Sequence, residues 1–164
     1  MTPFPTASLQ SHQTLNALGL DMFEKELLCV VRYFLSSFEA PDSQLWHQGF
    51  AVAVEKWGEP MGLPIAFATS KLVRAVLRCR DGGMFFHDPL DLETRTMVSD
   101  DEAYLLTMLH HMRRDETSAA RAAVDALTHG QMDPDVIRSG LSFAARFSYG
   151  AQRRVLRPEL HIDQ

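Results

Sequence analysis

Residues 99–112 read SDDEAYLLTMLHHM. Ser99 with Glu102 three places on is a capping box: the hydroxyl accepts an amide of the first turn and the carboxylate reaches back. Leu105, Met108, Leu109 and Met112 then recur at three- and four-residue spacing, which lays them along one side of a helix. Arg113-Arg114-Asp115 closes it, with the cations at the negative end of the helix dipole. The same signature recurs on either side of this stretch, so the chain reads as all-α.

Upstream, Asp21 caps a helix from Met22 whose stripe is Phe23, Leu27, Val30, Val31, Phe34 and Phe38; Cys29 and Arg32 lie off it. Ala40-Pro41-Asp42-Ser43 ends that helix and caps a second, with Trp46, Phe50, Ala53 and Trp57 as its stripe. Gly58 to Pro64 is dense in Gly and Pro and reads as a turn, with Pro64 opening a third helix. Ile65, Ala68, Leu72, Val73 and Val76 face inward there, and Asp81-Gly82-Gly83 stops it. Downstream, an alanine-rich fifth helix covers 116–129 and stops at Gly130. Asp133-Pro134 opens a sixth, with Val136, Ile137, Gly140, Leu141, Ala144 and Phe147 on its buried side.

Residues 81–98 break the pattern. Leu90, Leu92, Thr94, Thr96 and Val98 alternate with Asp91, Glu93, Arg95 and Met97, a period of two. That predicts extended chain, or a short β-hairpin with Met84-Phe85-Phe86 as the partner segment. The expected architecture is six amphipathic helices in one orthogonal or bundle-like domain over 17–150, with 81–98 as its irregular insertion. Residues 1–16 lack an apolar period and read as a loose arm, and 151–164 as a tail.

Composition limits the function. The chain has 164 residues, 46% hydrophobic and 23% charged, which suits one globular domain. A net charge of −5 argues against broad binding of nucleic acid or anionic membrane. Only three of 16 basic residues are lysine, a bias that codon usage explains as well as bidentate recognition does. No run of about 18 apolar residues exists, so no membrane span is expected. MTPFPTASLQSHQTL has neither a basic start nor an apolar core, so a secretory signal is not expected either. Cys29 and Cys79 form no CxxC, and reduced thiols in a cytoplasmic protein are the default.

Four groups carry chemical possibilities. His110 and His111 sit beside Arg114. Neighbours on a helix point about 100° apart, and the residues four away give no second ligand of zinc-motif type, although Asp115 could orient His111; no metal set is expected and solvated helix histidines are the plain reading. His87 and Asp88, with Asp91, Glu93 and Arg95, lie on a loop, where sites concentrate, but in no metal-binding spacing. Lys71, Arg74 and Arg78 form a basic edge, and Ala126, Gly130 and Val136 have helix-turn-helix spacing with Arg138 in the second helix. The plain readings are a solvated face and two packed core helices. Arg78 and Arg80 favour a lower pKa at Cys79, yet no His or Asp is placed to serve it, so an inert thiol is expected.

These observations favour a non-catalytic helical interaction or regulatory protein, with a protein partner or self-association as a homodimer and with no cofactor. One rival is a DNA-associated regulator using 117–147 or the 71–78 edge. The other is an enzyme or ligand binder whose site lies between loop 81–98 and helix 99–114, through contacts from His87, Asp88, Arg95, His110, His111 and Arg114.

Overall fold

The computed structural model describes residues 13–150. Six α-helices account for most of them: α1 (Met22–Glu39), α2 (Trp46–Trp57), α3 (Glu59–Cys79), α4 (Asp100–Met112), α5 (Thr117–Leu127) and α6 (Pro134–Arg146). Two strands of two residues each, β1 (Gln13–Thr14) and β2 (Met97–Val98), complete the regular structure with two short 3-10 turns. The fold is all-α, and among the described residues no helix is long and apolar enough to cross a membrane.

The helix starts follow their caps. Ser99 Oγ accepts the Glu102 amide at 3.1 Å, and Glu102 accepts the Ser99 amide at 2.9 Å. Asp21 and Glu24 make the same reciprocal box at the start of α1, at 2.9 and 3.0 Å. Asp133 caps α6 with Pro134 in its first turn. These side chains satisfy amides that a helix start leaves without partners.

α1 is the central element and packs on α2, α3 and α4. Its expected stripe is buried from Phe23 to Phe34, and Phe38 alone turns outward. A second side of α1 is also buried. Leu28 joins Leu20, Val98, Ala103 and Leu106 in a small satellite core that Leu15 and Leu18 close over. Phe23 anchors the main core, 5.3 Å from the Trp57 ring and 6.2 Å from Phe143. Phe143, absent from the expected stripe, is 1% exposed, whereas Leu141 is 51% exposed.

Three local expectations change. The Gly/Pro stretch is not a turn up to Pro64. Gly58 alone makes the corner (φ +77°), and α3 begins at Glu59 with Pro64 inside it. Gly62 is a close-approach glycine: a Cβ there would stand 2.5 Å from the Ala53 carbonyl oxygen of α2. Ser43 does not cap α2, because Pro41–Ser43 forms a 3-10 turn and no side chain caps Trp46.

The hairpin within 81–98 does not form. Met97–Val98 pairs instead with Gln13–Thr14, antiparallel, so four residues of the expected N-terminal arm (13–16) belong to the fold. The rest of that arm and the 151–164 tail lie outside the described residues. The alternation fails as a strand because its aspartates compete for the backbone. Asp88 accepts the Leu90 amide at 2.9 Å and Asp91 the Glu93 amide at 3.0 Å, and both make turns. Leu90 and Leu92, which a strand would bury, stay exposed.

Candidate functional site

Among the described residues three arginines are buried, each against a carboxylate and a main-chain carbonyl. Arg32 meets Glu102 and donates to the carbonyls of Thr94 (3.2 Å) and Met97. Arg80 forks onto Asp101 at 2.9 and 3.1 Å and reaches the Leu127 carbonyl at 3.0 Å. Arg113 meets Glu24 and Asp21 and donates to the Phe147 carbonyl at 2.7 Å. A buried charge needs partners of this kind, since leaving water unpaired costs several kcal/mol.

The densest cluster joins the start of α1 to the end of α4. The Glu24 side chain is fully buried, and its two oxygens take the Asp21 amide, His110 Nδ1 (2.8 Å), Arg113 and Arg114 (2.9 Å). Arg114 also bonds Asp21 at 2.8 Å and stacks 4.4 Å over the Tyr149 ring. Burial opposes the Arg114 charge, but Glu24 and Asp21 outweigh it and hold its pKa above the ordinary value. Burial likewise acts to raise Asp21, while the Glu24 amide and both guanidinium groups bring its pKa below the ordinary value.

That shift has a sign in stability. A carboxyl with a depressed folded pKa stabilises the fold above its ordinary pKa, and the gain is lost as pH falls through the folded value. Asp21→Asn keeps the helix cap but not the charge. Its stability, measured by denaturant unfolding, is expected to fall less than that of the wild type between about pH 5 and pH 3. Parallel losses in the two proteins would assign acid sensitivity to other carboxylates.

His111 lies on the outer side of this cluster. Its ring is 5.1 Å from that of His110, edge to face. Among the described residues, one nitrogen of each ring and a carboxylate oxygen of Glu116 fall within 4.8 Å of one another. The expected divergence of helical neighbours is thus partly overcome. After α4 the chain turns back, with the Glu116 amide on the His111 carbonyl (2.9 Å), through Asp115 at φ +56°.

Beside Glu116 opens an apolar groove of about 460 Å³ between the end of α4, α5 and α6. Met112, Ala120, Val124, Met132, Ile137 and Leu141 line it, and Asp115, Glu116 and Arg121 stand at its rim.

The other expected site residues disperse. Phe85 is tied to the start of α4 through Asp101 (2.8 Å) and Ser99 (2.6 Å), and the His87 ring lies 6.2 Å from Phe85. His110 is nine positions beyond Asp101, roughly 14 Å along the same helix. The structure therefore does not bring His87 to His110 and His111. Asp88 serves a local turn. Arg95 borders a separate cavity of about 590 Å³ between α1, α2 and the 89–96 segment, with Lys25, Cys29, Tyr33 and Lys56. Burial raises the pKa of Cys29 there. Cys79 is raised too, by burial and then by Asp133, and Arg80 only partly opposes them. Lys71, Arg74 and Arg78 are exposed on α3, and Arg138 pairs with Asp135 at 3.1 Å on the surface.

The sequence reading missed Glu24, Arg32, Arg113 and Glu116. For Arg32 no signal existed, since Lys25, Ser36 and Glu39 share its side of the helix and read as a solvated face. For Glu24 only the capping-box spacing from Asp21 was visible, because its charged partners lie 86 to 90 positions away. Compared with models of known protein families, with curated proteins and with solved structures, the chain matches none.

Proposed function

We propose that this is a non-catalytic helical interaction protein that takes an amphipathic helical segment of a partner protein in the groove between α4, α5 and α6. The observation that carries this reading is the groove itself. It is lined by aliphatic and methionine side chains, and Leu141 is half exposed at its edge. Such a surface gains free energy only when an apolar face covers it. α5 is 11 residues long, about 16 Å, which suits three turns of a partner helix. Asp115 and Glu116 at the rim favour a segment with basic residues flanking its apolar stripe.

A nucleic-acid role would rest on Lys71, Arg74 and Arg78 of α3 or on Arg138 of α6. It is the weaker reading, because Asp135 already pairs with Arg138 and the exposed side of α6 offers Leu141.

The test uses a fluorescent model peptide with leucine at i, i+3, i+4 and i+7 and lysines on its flanks. Saturable binding by anisotropy is expected, weakened roughly tenfold by Leu141→Glu, which sets a charge in the apolar contact. Leu141 is half exposed, so the variant should keep the wild-type melting temperature. Equal binding by variant and wild type, or none by either, overturns the reading. A dimer that Leu141→Glu dissolves would give the groove to a second copy instead. A salt-dependent shift of duplex DNA in place of peptide binding would favour the nucleic-acid role.

A further inference from the structure

His110, His111 and Glu116 supply two imidazoles and one carboxylate, with one ligand atom of each already within 4.8 Å of the others. We propose that they form a binding site for a divalent transition-metal ion of the zinc class, with a remaining position open to water or to a partner's side chain.

Four observations carry the proposal. First, the carboxylate of Glu24 lies 2.8 Å from His110 Nδ1 and is fully buried. A carboxylate in that place receives the Nδ1 proton and leaves the imidazole lone pair on Nε2. This is the carboxylate–histidine pairing that orients metal ligands and raises their basicity. Second, His111 Nδ1 is buried and takes no hydrogen bond. A carboxylate oxygen of Glu116 stands 3.6 Å from it, too far for a hydrogen bond and suited to an ion between them.

Third, the backbone turn that brings Glu116 back over the last turn of α4 passes through a non-glycine residue in the left-handed region, Asp115 at φ +56°. Without that turn Glu116 would continue the helix away from His111. Fourth, the local charge suits a dication. The carboxylates of Asp21 and Glu24 balance the guanidinium groups of Arg113 and Arg114. Asp115 and Glu116 then remain at the turn against the single rim cation Arg121, a net negative charge for a metal cation to neutralise.

The donor set chooses the ion. Two nitrogens and one oxygen suit zinc, cobalt(II) or nickel rather than magnesium or calcium, which take oxygen ligands. In a tetrahedral zinc site the ligand atoms stand roughly 3.3 Å apart, so rotation of the half-buried His111 ring and the exposed Glu116 chain must close the set. Both side chains retain access to solvent, at 23% and 49% exposure. The site does not depend on the partner-helix reading, although Glu116 also borders the groove.

The experiment uses the full chain without a histidine tag, stripped with a chelator and titrated with zinc chloride by calorimetry and with cobalt(II) by visible spectroscopy. One ion per chain is expected, with visible cobalt absorption of tetrahedral intensity. His111→Ala and Glu116→Gln are each expected to weaken binding by roughly 10-fold or more. Both positions are partly solvated, so the variants should fold. His47→Ala, at an exposed histidine elsewhere, should bind as the wild type does. No binding by the wild type overturns the proposal. So does equal binding by His111→Ala and Glu116→Gln, which would place the ion on other histidines. Magnesium binding as tightly as zinc would overturn the assigned class of ion.

Discussion

Glu24→Gln is expected to lower the stability of the fold by about 3–5 kcal/mol, the cost of breaking a buried ion pair from one side. Glutamine nearly keeps the shape of the side chain. It removes the charge that faces Arg113, Arg114 and His110 together. Arg113 has no access to water, and its Nη2 is already buried without a hydrogen bond. The exposed neighbours of the cluster cannot take over, and Asp21 alone must balance two guanidinium groups. For a chain of this size the loss corresponds to a fall in Tm on the order of 10 °C. Denaturant and thermal unfolding of the variant would check it. A loss below about 1 kcal/mol would show that water reaches Arg113 and screens it, and that the cluster contributes like a surface pair.

Arg32→Met is expected to cost about 3 kcal/mol or more by the same mechanism, with a second, local consequence. The Glu102 carboxylate, fully buried, keeps only the Ser99 amide, the Met97 carbonyl loses the guanidinium, and the Thr94 carbonyl keeps only the Met97 amide at 3.1 Å. Those carbonyls lie within and just before β2, so the 94–98 segment should loosen. Hydrogen exchange should register this at Leu15, whose amide is held by the Thr96 carbonyl at 2.7 Å. Arg32→Lys should restore only part of the stability, since an ammonium cannot fork onto a carboxylate and two carbonyls in the guanidinium plane. Adding Glu102→Gln to Arg32→Met should recover part of the loss by removing the unpaired charge. Wild-type stability in Arg32→Met would mean that methionine fills the space and Glu102 finds solvent.

These pairs also explain which parts of the fold were legible in the sequence. α4 was readable because its cap, stripe and end lie within about 15 consecutive residues, each obeying helical periodicity. α6 was readable at its start for the same reason, though Leu141 and Phe143 exchanged places between surface and core. The start of α3 was misread because glycine has two uses. Gly58 turns the chain, while Gly62 lets two helices touch, and composition does not separate them. The 81–98 alternation misled because period two describes side chains, whereas aspartates at 88 and 91 redirect the backbone.

The candidate site was legible only as residue types. His110 and His111 stood out, but helical arithmetic stops at Met112, and the turn that returns Glu116 lies beyond it. Glu24 and Arg113 interact across 89 positions of sequence, a pairing no local pattern encodes.

The carbonyls held by the buried arginines have one more consequence. Leu127 is the final residue of α5, and Phe147 follows the final residue of α6. Helix ends leave carbonyls without partners and carry partial negative charge. Here Arg80, just after α3, and Arg113, just after α4, hold those carbonyls, so the ends of α5 and α6 are secured from elsewhere in the fold. An alanine-rich helix of 11 residues does not persist by itself in water. The C-terminal half of the domain therefore leans on distant side chains: the carbonyls at the ends of α5 and α6 are held by Arg80, itself paired with Asp101, and by Arg113, itself paired with Glu24.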